Sequence, residues 1–360
     1  MTELELVERN PNPVLERPTG ECLATWWHQA TPGTTYWRCL VPARHLPGQI
    51  LPVRHDDIQE EDGEIVFPRQ RGDTAIWQFL GDEHRTKLAF GMRHVMGTRL
   101  LLEIDDDYTR PAPYMYGQKN TPWVKTIAEA HASARSGGPG YSHEMHRLIL
   151  PHADGIICST EHLASVYETY NDNVWVCPNS IDPDDWAYER EPHDAFRIVY
   201  YGSPSHISDT PLVTKALKWA SRQEGVEIWT VGFQNPSWSF PYQTVPWTND
   251  LAEARKNLFR FDLGIAPLKG NPWSRGKSDI KAMEYAMAGV LPLMSYEEPF
   301  RPWFDSFPDL CLADGEWEEA IRNWVGSRET ASQEALRARE WVLENRVIDE
   351  TIHKWRQLIA

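Results

Sequence analysis

The most chemically suggestive residues in this sequence are Lys277, Lys281 and Glu284, within the stretch GKSDIKAMEYAMAG at 276–289. Its apolar residues recur at helical spacing, so it reads as a single helix with Ser278 as the natural N-cap. On such a helix Lys277 and Lys281 lie one turn apart near the N-terminus, where they repel each other and oppose the helix dipole by about a few tenths of a kcal/mol each. A solvated face is the ordinary explanation for helix charges, but it leaves that conflict in place. A diphosphate relieves it, because free N–H groups at a helix start and two ammonium groups all favour an anion. Each shielded, charge-assisted hydrogen bond then contributes about 1.5–3 kcal/mol. Glu284 follows Lys277 by seven residues, two turns along the same face. It is too far to meet the same phosphate, but it can accept hydrogen bonds from the vicinal hydroxyls of a ribose. Phosphate first and ribose two turns later describe one extended ligand, a nucleoside diphosphate.

A second loop supports this reading. In GSPSHISD, which follows the strand-like RIVYY, Gly202 permits close backbone approach, Ser203 and Ser205 supply hydroxyls, and His206 supplies a further donor. Taken alone, GSPS is an ordinary turn. No G-x-G-x-x-G follows a strand and no G-x-x-x-x-G-K-[ST] occurs, which disfavours nicotinamide, flavin and P-loop chemistry.

The first half of the chain offers carboxylates and histidines. LLLEIDDDY ends a strand pattern with Asp105, Asp106 and Asp107, three adjacent like charges that could receive an acceptor proton, bind acceptor hydroxyls or hold a metal. His143, His146 and His152 are close in sequence but lack Cys or Glu at ligand spacing, so they read as surface or cleft polar groups. Trp247 in TVPWTND follows a strand and either borders a base or packs in the core.

Positioning such residues requires a scaffold, and the sequence supplies two copies of one pattern. TAIWQFL, EHRTKLAFGMRHVMG and TRLLLEI read as strand, helix and strand, and ADGIICS, STEHLASVYETY and NVWVCPN continue the alternation. Between them lies a Gly-rich loop, Gly137 to Gly140. The segment SIDPDDWAYEREPHD at 180–194 is rich in Asp and Pro and reads as a linker. FRIVYYG, VEIWTVG, DLGIAPL and VLPLMS then restart the alternation with intervening helices. Both halves are therefore expected to be parallel α/β units, whose ligands bind beyond the carboxyl ends of the strands. Two such units facing each other would form a cleft.

Composition agrees. A chain of 360 residues exceeds one ordinary core, and 41% hydrophobic with 24% charged residues suits globular α/β domains. A net charge of −16 disfavours broad neutralisation of nucleic-acid phosphates. Five widely spaced cysteines without a C-x-x-C pair suggest free thiols in a reducing cytoplasm rather than a disulfide framework or zinc site. The N-terminus lacks a signal-peptide core, and no stretch approaches the length of a membrane span.

The ordered set ADGIICSTEHLA, NVWVCPNSID, RIVYYGSPSH, VEIWTVG, FDLGIAPL and KSDIKAMEYAMAGVLPLMS resembles glycosyltransferases of the two-Rossmann-domain GT-B type, close to family 4, over roughly residues 74–295. The resemblance implies a tail at 1–20, a Rossmann-like acceptor domain at 21–185, a donor domain at 195–335, and C-terminal helices at 336–360 that cross back. It also implies a nucleotide-sugar co-substrate, no required metal, a retaining outcome, and Lys277, Ser278, Lys281, Gly202, Ser203 and His206 around the diphosphate. Glu284 matches the ribose ligand, the second of two glutamates in many relatives; the first falls on Gly276, a departure from the pattern. In the acceptor domain, TPGTTYWRCLVPARHL stands where relatives have a Gly-rich loop, with Gly33, Tyr36 and Arg38 facing the cleft if the next run is the first strand; a structural salt bridge is the equal alternative for Arg38. Asp-x-Asp at a strand end also fits the metal-dependent, single-domain GT-A type, against which the duplicated layout argues. The acceptor could be a lipid, a glycan, a protein or, in a bacteriophage setting, virion protein or modified DNA. A donor-binding protein without turnover and a nucleotide-sugar epimerase of the same architecture are the alternatives.

Overall fold

In a computed structural model, the described residues are 22–28, 32–55, 59–61, 64–66, 73–78, 80–110, 123–135 and 140–360. The expected tail at 1–20 and residues 137–139 of the Gly-rich loop lie outside them. The chain divides into two compact units, Met1–Ser180 with Ile348–Ala360, and Ile181–Val347.

The first unit contains six parallel strands: β1 (Ala24–His28), β2 (Ile50–Arg54), β3 (Thr74–Gln78), β4 (Arg99–Ile104), β5 (Gly155–Cys158) and β6 (Val174–Val176), ordered β6-β5-β4-β3-β1-β2. Strand side chains alternate between faces, and both faces here are apolar. Trp27, Trp77, Leu100, Leu102 and Ile156 fill one side, whereas Trp26, Ile76, Leu101 and Ile157 fill the other. Helix α1 (Glu83–Met96) starts at Asp82, whose carboxylate accepts from the Arg85 N–H, and covers the first side with Leu88, Ala89 and Met92. Helix α2 (Glu161–Tyr167), capped by Thr160, adds Leu163 and Tyr167.

The second side is completed from the far end of the sequence. Helix α8 (Ile348–Ile359) sets Trp355 against Trp26, with ring centroids 4.9 Å apart, and Arg99 Nη1 donates to Leu358 O at 2.6 Å. The final helix thus joins the first unit because its Trp355, Leu358 and Ile359 help to cover, with Cys39, Ala43 and Leu46, the apolar face that holds Trp26, Ile76 and Leu101.

The second unit repeats the plan with β7 (Phe196–Tyr201), β8 (Val226–Val231), β9 (Gln243–Val245), β10 (Leu263–Ala266), β11 (Leu291–Ser295) and β12 (Cys311–Leu312), ordered β9-β8-β7-β10-β11-β12 and parallel throughout. Its helices include α3 (Pro211–Ala220), α4 (Leu251–Leu258), α5 (Ile280–Met287), α6 (Trp317–Val325) and α7 (Arg328–Asn345). The segment read as a linker is packed instead: Ile181 bridges to Val347, Trp186 is buried, and Arg190 donates to the Gly289 and Phe261 carbonyls. Its Asp and Pro residues shape a short 3-10 turn at Pro183–Trp186 that lets a large indole reach the interior. Because all strands run the same way, the loops after β7, β8, β9, β10 and β11 emerge on one edge.

If α8 is part of the first unit's core, Trp355→Ala should cost about 3–5 kcal/mol of stability in urea denaturation; a loss under about 1 kcal/mol would contradict that packing.

Candidate functional site

The helix expected over 276–289 is shorter. Ser274–Gly276 form a 3-10 turn, Lys277 is extended, and α5 begins at Ile280 with Asp279 rather than Ser278 in the N-cap position. Lys277 therefore stands in the approach to the helix and not on its face. The reason lies in Asp279, whose buried carboxylate is held by Arg346 through two bonds of 2.6 and 2.8 Å and by Trp303 Nε1 at 2.9 Å. Drawn aside in this way, it makes no capping hydrogen bond to the helix backbone. The N-cap carboxylate of α5 therefore does not occupy the leading N–H groups of the helix, which favours anion binding at a helix start.

The side of α5 is anchored by Tyr285, whose hydroxyl accepts from the Tyr201 N–H at 3.0 Å and donates to Ile265 O at 3.2 Å. This seats Lys281 and Glu284 against the ends of β7 and β10. A Cβ at Gly202 would lie 3.0 Å from His206 Cδ2 and 3.1 Å from Lys281 Nζ, so glycine lets the loop after β7 meet the lysine directly. His206 Nδ1 stands 3.4 Å from Asp209 Oδ2, and Asp209 Oδ1 accepts from the Lys269 N–H at 3.1 Å. Lys277 Nζ sits 4.0 Å above the Trp273 ring. The structure therefore brings Gly202, His206 and Lys281 together, with Ser203 in the same loop and Ser278 beside Asp279.

These groups suppress one another's charge. Lys281 is pushed down to about 7, first because burial strips water from its ammonium and next because Lys277 carries a like charge; Asp209 and Glu284 offset only part of this. Burial, then Lys281, pushes His206 down to about 3. Glu284 is pushed up to about 8, since burial outweighs the attraction of Arg255 and Lys281. A divalent anion at this edge would reverse the first two shifts.

Toward β9, the Trp247 ring stacks on Tyr201 with an interplanar angle of 4° and is 49% exposed, so it is not a core residue. Tyr201 also feels the charge of Glu284. Lys281, Glu284, Tyr201 and Trp247 thus run in sequence along the edge from β7 toward β9.

The first unit departs further from expectation. Residues 32–45 follow β1 instead of preceding it and are helical, π-helical over Tyr36–Leu40. Tyr36 and Arg38 are buried, while Gly33 has open space around its Cβ direction. Arg38 takes the structural alternative: its Nε meets Glu103 Oε1 at 2.6 Å, its Nη1 donates to Cys177 O and Asn179 Oδ1, and its guanidinium lies 5.1 Å from the Trp355 ring. The three aspartates form a braced turn after β4. Asp107 is fully buried and receives Thr109 and Arg110, Asp105 accepts from Tyr108 at 2.9 Å, and Asp105 and Asp106 are half-buried. His143 and His146 are interior, bonded to the Tyr108 and Leu80 carbonyls at 2.9 and 2.6 Å, rather than surface groups; His152 is exposed. Among the described residues no three His, Cys, Asp or Glu side chains cluster as metal ligands, and no helix is long and apolar enough to cross a membrane.

Sequence reading missed Asp209, Asp279, Arg255 and Arg346. Asp209 follows His206 by three residues in a short turn, a spacing that could have marked it, whereas Arg346 is 67 residues from Asp279 and left no local signal.

No protein-family model and no curated protein matches the chain. Solved structures do. TarM is matched over 85% of this chain and 56% of its own length, at 9% identity and a TM-score of 0.56. HepE from Anabaena, in complex with UDP and glucose, is matched over 94% of this chain and 99% of its own, at 10% identity and a TM-score of 0.59. WaaG, a glycosyltransferase involved in lipopolysaccharide biosynthesis, is matched over 94% and 99%, at 11% identity and a TM-score of 0.54. The chain spans little more than half the length of TarM. At these identities the likeness shows the fold, and the fold is the GT-B one that the motifs resemble.

Because Lys281 sits near 7 in the folded state and at its ordinary high value when unfolded, the folded state binds fewer protons between these limits. Stability attributable to this residue should rise with pH over that window and be at its lowest below pH 7. Comparing urea denaturation of the wild type and Lys281→Met at pH 7 and pH 10 should show the wild type gaining on the variant, by at most about 1.4 kcal/mol per pH unit. A constant difference would contradict the desolvated lysine.

Proposed function

We propose that this protein is a glycosyltransferase that moves a sugar from a nucleoside-diphosphate sugar to an acceptor, with the donor held by the second unit. The observation that carries the reading is the convergence of Lys281, His206 and Gly202 at a helix start whose N-cap carboxylate is turned away. Lys281 and Lys277 with the leading N–H groups of α5 bind the diphosphate and meet the negative charge that grows on it as the sugar departs. Charge stabilisation from these residues is the support for a metal-independent reaction. Glu284 accepts from the ribose hydroxyls, and Tyr201 with Trp247 borders the base.

Ser203 and Ser278 lie within the phosphate end of this site, and Asp105 and Asp106 are the half-buried carboxylates on the acceptor side. A retaining outcome rests on the family resemblance alone. Five cysteines, four of them buried and none in a disulfide among the described residues, suit a reducing cytoplasm. Gly276 in place of a glutamate favours one rival, a donor-binding protein without turnover.

Uridine is the first nucleotide to test, since the TarM G117R mutant from S. aureus and HepE were both solved with UDP. A thermal-shift screen of UDP-, GDP-, ADP- and dTDP-sugars should find one series that raises the melting temperature. Lys281→Ala should weaken that donor about 10- to 100-fold in calorimetry, the loss of about one charged hydrogen bond. Glu284→Ala should abolish discrimination between the nucleotide and its 2′,3′-dideoxy counterpart. Binding by no series, or unchanged binding by Lys281→Ala, would refute the donor site; tight binding with no nucleotide release on any acceptor would favour the rival.

A further inference from the structure

The donor site described above accounts for a nucleoside and a diphosphate but not for the sugar. The strand order fixes where the sugar must lie. Trp247 follows β9 and Gly202 follows β7, so the base end points along the edge toward β9 and the sugar end points the other way, past β10 to β11. Adjacent strands are about 4.8 Å apart, which places the end of β11 about 10 Å from the phosphate end of the site, across a hexose ring.

Glu297 occupies that place. It lies in the loop after β11, half-buried, and its carboxylate presses on Gly270, where the Glu297 oxygens would collide with any Cβ. Gly270 is the neighbour of Lys269, whose N–H holds Asp209 and through it His206. The carboxylate is therefore one residue along the same loop from the phosphate machinery. Among the described residues it has no ion pair and no hydrogen bond; Arg275 acts on it only at a distance. Burial, more than any neighbour, raises it above the usual carboxylate range, with Asp314 and Glu298 adding repulsion. A partly desolvated carboxylate with no protein partner among the described residues keeps acceptor capacity that ligand hydroxyls can fill.

Resting on the donor-site reading, we propose that Glu297 is the donor-sugar ligand, accepting hydrogen bonds from vicinal hydroxyls of a neutral hexose. Its charge, reinforced by Asp314 and Glu298, rejects sugars that carry a carboxylate of their own. This makes Glu297 a specificity-determining residue for the transferred sugar, while the nucleotide remains held by α5.

Calorimetry with UDP, UDP-glucose and UDP-glucuronate on wild type, Glu297→Gln and Glu297→Ala tests this, with the GDP, ADP and dTDP series run in parallel. The wild type should bind UDP-glucose at least tenfold more tightly than UDP-glucuronate. Both variants should bind UDP within about twofold of wild type and lose most of that preference, and both should keep the wild-type melting temperature because no partner is lost. Equal weakening of UDP and UDP-glucose, an unchanged sugar preference, or a melting temperature lowered by more than about 5 °C would overturn the assignment. Wild-type protein that binds no nucleotide of any series would overturn the donor site as well, whereas normal nucleotide binding with indifferent variants would overturn only the role of Glu297.

Discussion

The clamp on Asp279 is the constraint from which the rest of the proposed donor site follows. A carboxylate at the N-cap would ordinarily fold back onto the helix and satisfy its first N–H groups. Here Arg346 and Trp303 take both oxygens, and Arg346 belongs to the end of the long helix α7. That choice keeps the Asp279 carboxylate off the helix backbone at the start of α5, which follows a 3-10 turn ending at Gly276 and an extended Lys277. Breaking a largely buried pair of this kind by removing one partner typically costs about 3–5 kcal/mol, so the geometry is firmly held.

On this frame the protein maintains an electrostatic conflict. Lys277, Lys281 and His206 are crowded at one edge of the sheet, and the two carboxylates that could neutralise them are engaged or displaced: Asp209 is tied to the Lys269 backbone, and Glu284 lies toward Tyr201. On the proposed function, a bound diphosphate would relieve this conflict, and so would the further charge that develops on it as the sugar departs. Stability is spent to obtain this, which is the usual relation between a strained site and its function. The same logic extends to Glu297, unpaired at the other end of the loop that carries Gly270 and Lys269.

Much of the fold was legible because period and punctuation are local. The alternating strands, the helix over EHRTKLAFGMRHVM and the repeat of βα order in both halves follow from spacing alone. That Lys281 and Glu284 share one helix face was legible for the same reason, since they lie three residues apart on it. Lys277 was placed on that helix because nothing nearby signals that Asp279 is recruited by an arginine 67 residues away. The segment 180–194 misled through its composition: Asp and Pro suit a tether, but they also suit the tight turn that buries Trp186. Residues 32–45 misled because a π-helical stretch has neither of the common periods, so Arg38 lost its true context, a buried pair with Glu103 in the middle of a sheet.

The central claim is that Lys281 is held partly discharged by burial and by Lys277, and that a nucleoside diphosphate restores its charge. Heteronuclear NMR of the Lys281 Nζ resonance across pH 5–10, with and without saturating UDP, tests it most directly. The account predicts titration near 7 for the protein alone, as burial and the Lys277 charge require, and a clear upward displacement with UDP. Titration at the ordinary lysine value in both conditions, or a midpoint near 7 that UDP leaves unmoved, would contradict it.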